Sequence, residues 1–391
     1  MICFVAAFNR TKLQSGYNVR RVSTRLFTKR EKTMLRYVLY GLLLLVPIAL
    51  IGELAHWAPT TLFILSAIAI IPLAKFVGEG TEELAVHTGP QVGGLLNATL
   101  GNAAELIITI FAIREGLLDL VRASITGSII GNLLLVLGLS LLFGGLKHGT
   151  QVFDRRNAGV NATLLVLAVA ALTVPSLFDV ALQQDRAAEV GLSEGVAIIM
   201  IVLYGLSIYY SFWAGRRQTA LEREPAAQEI HQAKWSVGFA LAVLAAATIG
   251  IVLMSEVLVG AVEEVTTQFG LSEFFIGIIV IPLVGNVAEH LVAVQVAYKN
   301  KMELSLAISL GSSLQIALFV APVLVFISLL FGDILLLVFN SFELIALLTA
   351  AIIAAFVVQE GESNWLEGVM LLAVYLILGL AFFFLPVTPI G

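Results

Sequence analysis

Long stretches of this chain are continuously apolar, as at Leu42–Leu50, and the polar residues gather in short breaks between them. A helix of about 20 apolar residues crosses roughly 30 Å of hydrocarbon. On that measure the chain predicts about eleven crossings, at roughly 36–55, 60–80, 92–113, 121–144, 160–180, 194–214, 236–258, 273–297, 303–330, 335–358 and 365–386. The strands of a β-barrel would alternate apolar and polar positions over about ten residues, and these runs do not alternate. The expected fold is an all-α polytopic membrane protein with the lipid bilayer as its solvent.

Composition agrees. Hydrophobic residues make up 59% of the 391 residues and charged residues 13%, about half the share in soluble domains. A net charge of -5 offers no electrostatic case for a nucleic-acid partner. Cys3 is the only cysteine, so neither an intrachain disulfide nor a thiolate metal cluster can form.

Charge sets the orientation. Residues 1–35 form a basic tail, with Arg10, Lys12, Arg20, Arg21, Arg25, Lys29, Arg30 and Lys32 against the single acid Glu31. It reads as a disordered cytoplasmic tail, or as translated sequence ahead of a start at Met34, in preference to a targeting presequence. With the N-terminus inside, the inner breaks carry Lys147, Arg155, Arg156, Arg216, Arg217, Arg223, Lys234, Lys299 and Lys301, and the outer breaks only Arg114, Arg122 and Arg186. That asymmetry follows the positive-inside rule. The plasma membrane is the expected host, with a vacuolar-type membrane as the alternative. Residues 215–235 form a polar, mixed-charge cytoplasmic linker. It separates a first group of five crossings (60–214) from a second (236–386), behind a leading helix at 36–55.

One short motif occurs twice. Gly101-Asn102-Ala103-Ala104-Glu105 returns as Gly285-Asn286-Val287-Ala288-Glu289, 184 positions later. The same offset, without a gap, sets Gly127-Ser128 on Gly311-Ser312. Acidic groups also precede each copy, Glu79, Glu82 and Glu83 the first, Glu256, Glu263 and Glu264 the second. Five crossings is an odd number, so the second group enters the membrane from the opposite side. Repeats related in this way are inverted, and transporters built from them hold their substrate at the midplane between the halves.

A carboxylate at that depth is costly without a partner, a cavity or a job. Asn102 and Glu105 are three apart on a helix and share a face, as do Asn286 and Glu289. Ser128 and Asn132, then Ser312 and Gln315, add hydroxyl and amide groups from the next helix of each half. All of these are hard oxygen donors, which Ca²⁺ prefers. Two facing carboxylates that are ionised and empty would repel in low dielectric. A divalent cation relieves this, and so does protonation. A site that holds either Ca²⁺ or about two protons exchanges one for the other, and the protons titrate as a pair. Glu82, Glu83, Glu263 and Glu264 are candidates for drawing cations toward the site. His290 is a candidate for tuning it.

The stretch Thr88–Ile107 and the stretches Ile281–His290 and Ser309–Ile316 resemble the two signature repeats of the Ca²⁺/H⁺ antiporters, the CAX branch of the Ca²⁺/cation antiporter superfamily. The resemblance spans about residues 36–386. It implies one leading helix and two inverted five-helix halves. It also implies Glu105 and Glu289 as the cation and proton carboxylates, with Asn102, Asn286, Ser128, Ser312 and Gln315 beside them. The linker is less acidic than that family's, because Arg216, Arg217, Arg223 and Lys234 interleave with its glutamates.

The expected function is export of cytoplasmic Ca²⁺ in exchange for H⁺ by alternating access, with both ions as cargo and no cofactor. The alternative within the same superfamily is exchange driven by Na⁺, or carriage of Mn²⁺ or Na⁺. Na⁺/Ca²⁺ exchangers resemble this layout but usually carry Pro-Glu and Asp in the repeat helices, so against that resemblance Ala104 and Ala288, ahead of the two glutamates, favour protons. A passive channel has no need of two protonatable carboxylates buried together. An enzyme is not expected, because the one nucleophile-like pattern, Gly191-Leu-Ser-Glu-Gly195, follows no strand and has no apparent triad partner.

Overall fold

The computed structural model describes residues 37–182, 185–221 and 233–385. The basic tail 1–35 and most of the linker, 222–232, lie outside them. The chain divides into two compact units, 1–40 and 41–391, and all that follows concerns the second.

The apolar runs fold as helices: α1 (Leu45–Leu54), α2 (Pro59–Leu100), α3 (Ala103–Arg114), α4 (Leu118–His148), α5 (Arg155–Leu182), α6 (Arg186–Leu221), α7 (Val237–Gly260), α8 (Val262–Phe269), α9 (Glu273–Tyr298), α10 (Met302–Ser328), α11 (Ser341–Gln359) and α12 (Trp365–Phe383). Lipid cannot hydrogen-bond a backbone, and a helix satisfies its own. Among the described residues, ten helices are long and apolar enough to cross a membrane, counting Tyr37–Leu54 as the first.

The third expected crossing, 92–113, is a broken helix and is not among those ten. α2 kinks at Gly89 (φ 81°, ψ 171°), a conformation open to glycine, and its second limb runs to Leu100. Helical geometry then fails at Asn102 (φ -103°, ψ 28°), and α3 starts at Ala103. The break falls inside the first Gly-Asn motif. The second copy lies within the continuous α9, just after a π-helical stretch at Ile276–Val280. π-Helical stretches also interrupt α4 at Gly131–Val136 and α10 at Ile316–Val320. Offset by 184 positions, these two overlap, so the repeat is visible in backbone geometry. Such bulges concentrate at functional sites.

Two further boundaries depart from the hydropathy. The expected crossing at 335–358 starts late. Residues 335–340 are not helical, and the N–H groups of Leu335, Leu337 and Phe339 donate to the hydroxyls of Ser328, Ser193 and Ser176. Asn340 and Glu343 form a capping box that sets the start of α11, and such a cap overrides an apolar run upstream of it. The expected linker also starts late, since α6 continues to Leu221.

Two ends of the bundle can be told apart by their loop contacts. At one end, β1 (Gln151–Val152) pairs antiparallel with β2 (Glu362–Ser363). There Lys147 and His148 both bond the Tyr298 carbonyl, and Glu83 accepts the N–H groups of Lys234 and Trp235. At the other end Arg114 pairs with Glu256, and Thr60 bonds Gln268. Each link joins segments that eleven alternating crossings put on the same side.

Candidate functional site

The second limb of α2, α3, α4, α9 and α10 bring the two motifs together. Gly127 of α4 lies so near α9 that an added Cβ would stand 2.1 Å from the Ile278 carbonyl oxygen. Only glycine permits that approach, and it sets α4 directly against the helix that carries the second motif.

The two glutamates are seated reciprocally. The Glu105 carboxyl lies against Gly285, with Oε1 3.1 Å from the point a Cβ there would occupy. The Glu289 carboxyl lies against Gly101, with Oε1 3.5 Å from the corresponding point. Glu105 is buried, at 3% exposure, and Glu289 is half-buried. Glu105 Oε1, Glu289 Oε2 and Asn286 Oδ1 are buried and have no hydrogen-bond partner among the described residues. Three oxygens left in this way, two of them from carboxylates, form a set of hard donors without protons of their own.

Amides and hydroxyls tie the halves together around these oxygens. Ser312 donates to Asn102 Oδ1 at 3.2 Å, and Asn286 Nδ2 donates to Ser128 at 3.3 Å. These two pairs are equivalents under the repeat. Asn102 Nδ2 donates to Gln315 Oε1 at 2.6 Å, and Asn132 Nδ2 donates to Ser312 at 3.0 Å. All seven residues expected at the site are thus gathered, together with Asn132. Asn102 is at the helix break, so its side chain points across to α10 and not along a shared helical face with Glu105.

The outlying candidates are not gathered. Glu83 is committed to the backbone ahead of α7. Glu82 is exposed on α2, and Glu263 and Glu264 are exposed in the first turn of α8. His290 follows Glu289, is 8% exposed, and its Nε2 has no hydrogen-bond partner among the described residues. Sequence reasoning overlooked Glu343, which is 2% exposed and accepts from Thr126 at 3.4 Å. The Asn-x-x-Glu spacing ahead of an apolar run was its signal. Ser305 and Ser309, both fully buried, were overlooked too, although they continue the face of Ser312 at i, i+4 and i+7.

Comparisons with known proteins bear on the family and the fold. The sodium/calcium exchanger protein family matches residues 58–213 and 239–384, one stretch on each side of the linker. The Ca(2+)/H(+) antiporter of Aphanothece halophytica is 44% identical over 369 residues, which cover 90% of this chain and 98% of that protein. The Ca(2+)/H(+) antiporter ChaA of Bacillus subtilis is 45% identical over 341 residues, covering 87% and 97%. Among solved structures, native YfkE superposes with a TM-score of 0.78 at 43% identity, over 89% of this chain and 100% of that one. The H+/Ca2+ exchanger CAX, at 18% identity and a TM-score of 0.68 over 89% and 92%, shares the fold. With both halves matched and relatives aligned over nearly their whole length, the chain belongs to the sodium/calcium exchanger protein family.

Proposed function

We propose that this protein is a secondary active transporter that exports cytoplasmic Ca²⁺ in exchange for H⁺, with cation and protons competing for Glu105 and Glu289. One observation carries the reading above all: each glutamate rests against the other motif's glycine, and each keeps a buried oxygen without a hydrogen-bond partner among the described residues. Two such carboxylates are not stable while ionised and empty. Ca²⁺ neutralises both, and so do two protons. Asn286 Oδ1 adds a neutral donor, while Ser128, Ser312, Asn102 and Gln315 hold the surrounding geometry.

The inverted halves supply alternating access, as one half rocks against the other around the fixed site. The end that bears Lys147, Lys299 and Lys301 faces the cytoplasm of a plasma or vacuolar-type membrane. The relatives named Ca²⁺/H⁺ antiporters favour protons over Na⁺ as the driving ion.

The test is ⁴⁵Ca²⁺ uptake into inverted vesicles under an imposed pH gradient, for wild type, Glu105→Gln and Glu289→Gln. Uptake that collapses with the gradient and disappears in both variants supports the reading. Full transport in either variant defeats it, and uptake that follows a Na⁺ gradient replaces it with the Na⁺-driven alternative.

A further inference from the structure

Nine buried side-chain polar atoms lack a hydrogen-bond partner among the described residues. Three belong to the site just described. Five of the other six are Ser140 Oγ on α4, Gln151 Oε1 on β1, His290 Nε2 on α9, and Ser305 Oγ and Ser309 Oγ on α10. Each of these residues is at most 8% exposed. They share one side of the site. Ser140 and Gln151 follow Ser128 and Asn132 toward and past Lys147. His290 lies between Glu289 and Lys299, and Ser305 and Ser309 between Lys301 and Ser312. The segments that carry them pack on one another.

The inverted repeat provides an internal control. Positions 184 apart sit at matching depths on opposite sides of the midplane. The counterparts of Ser305, Ser309, His290, Ser140 and Gln151 are Val121, Ile125, Leu106, Leu324 and Leu335. Every one is aliphatic, and all but Leu106 are fully or nearly fully buried. At these five positions one side of the site is polar where the other is aliphatic, and the sixth unpartnered atom, Ser255 Oγ on α7, stands apart on that other side, which also buries Ser124, Thr126 and Glu343. Back-bonding to the preceding turn does not occupy these two serines, as it does Ser313, which donates to the Ser309 carbonyl. Buried polar groups without a protein partner take ordered water, at a cost of about 1–3 kcal/mol if they do not.

We infer that these five groups line a hydrated column that carries protons between Glu289 and the Lys147–Lys301 end, separately from the route of the cation. This rests on the Ca²⁺/H⁺ exchange proposed above. Ser305, Ser309 and Ser312 form one stripe of α10, and the stripe reaches the site at Ser312. A cleft of about 140 Å³ opens on the opposite face of α10, lined by Asp154, Asn157, Asn161, Glu303 and Ala307 among others. The acid-lined cleft suits a cation. The stripe offers only hydroxyls, which relay protons through water. The charged groups at the column's end are Lys147, His148, Lys299 and Lys301, with Asp154, Glu303 and Glu362 on the elements beside them, and the carboxylates at its head are Glu105 and Glu289. The aliphatic residues at the matching positions, Val121 and Ile125 first among them, form a dry seal that stops the column from continuing past the site.

The test uses the full chain in proteoliposomes, with Ca²⁺ uptake and interior pH followed together. Ser305→Ala combined with Ser309→Ala should lower the maximal exchange rate at least about tenfold and leave the apparent Ca²⁺ affinity within about twofold. Val121→Thr combined with Ile125→Thr should open a proton leak in the absence of Ca²⁺, while Ca²⁺ uptake persists and reports a folded protein. Val121→Thr alone, nearly isosteric, serves if the double variant does not transport, and is expected to leak less. A wild-type rate in the alanine pair overturns the column. So does a loss of Ca²⁺ affinity in that pair, which would put the serines on the cation's route. Proton tightness in all the threonine variants overturns the dry seal. Absence of pH-driven uptake in the wild type would instead count against Ca²⁺/H⁺ exchange itself.

Discussion

The Glu105 carboxyl rests against the bare α-carbon of Gly285, with Oε1 3.1 Å from where a methyl group on that carbon would sit. The contact joins the acid of one repeat to the glycine of the other. A substituent on Gly285 would push the carboxylate out of place without changing its charge. Gly285→Ala is therefore expected to weaken apparent Ca²⁺ affinity about tenfold, or about 1.4 kcal/mol, while the protein still folds. The Ca²⁺ dependence of initial uptake rates measures it. An unchanged affinity would show that the seat does not position Glu105.

Competition for the same carboxyls fixes the sign of the pH effect. Protons occupy the site as pH falls, so apparent Ca²⁺ affinity should weaken with falling pH and level off once both carboxyls are ionised. Its dependence on pH should approach two protons per Ca²⁺ at the steepest. Equilibrium Ca²⁺ binding to purified protein across pH tests this. In Glu105→Gln or Glu289→Gln the residual binding should lose about half of that slope. Affinity indifferent to pH would contradict competition.

The pairs Asn102–Ser312 and Asn286–Ser128 are equivalents at 3.2 and 3.3 Å. Double-mutant cycles to alanine should give similar coupling in each, about 0.5–1.5 kcal/mol for a neutral hydrogen bond. Asn102→Ala should cost more than Asn286→Ala, because it also strands Gln315 Oε1, which accepts from Asn102 at 2.6 Å. Thermal unfolding in detergent measures the stability. Equal single-variant losses would mean that Gln315 finds another partner at once.

The start of α11 rests on Asn340 and Glu343. Asn340→Ala should destabilise by about 1 kcal/mol, the usual worth of an N-cap. Glu343→Gln keeps the amide-compatible capping geometry and the reach to Thr126, so it should cost less than Glu343→Ala. The comparison is a melting temperature for each variant. Glu367 forms the same box at α12 but is only half-buried, and Glu367→Ala should be milder than Glu343→Ala.

Much of this was legible along the chain. Apolar runs of about 20 residues settle the helical class, because in lipid only the helix or the closed barrel satisfies the backbone. The repeated Gly-Asn-x-Ala-Glu, the 184-position offset and the odd number of crossings together picked out Glu105 and Glu289 and their partners on α4 and α10. Those inferences needed only periodicity, parity and the cost of a buried charge.

What hydropathy could not show was where a helix stops being one. The break at Asn102 and the non-helical 335–340 lie in apolar sequence, and in the second the N–H groups of Leu335, Leu337 and Phe339 are satisfied by hydroxyls from other helices. Ser176, Ser193 and Ser328, which cap the 335–340 stretch, come from three separate helices. Which polar groups end up without partners is likewise a property of the packed bundle. Ser305 and Ser309 read as ordinary small residues until packing leaves their hydroxyls without a hydrogen-bond partner among the described residues. Residue types and their spacing suffice for the membrane fold, the duplication and the two carboxylates, because the cost of burying charge in hydrocarbon is visible from residue type alone. That each glutamate lies against the opposite glycine, and that five groups unpartnered among the described residues line one side of the site, emerges only on packing, because both depend on contacts between the two halves.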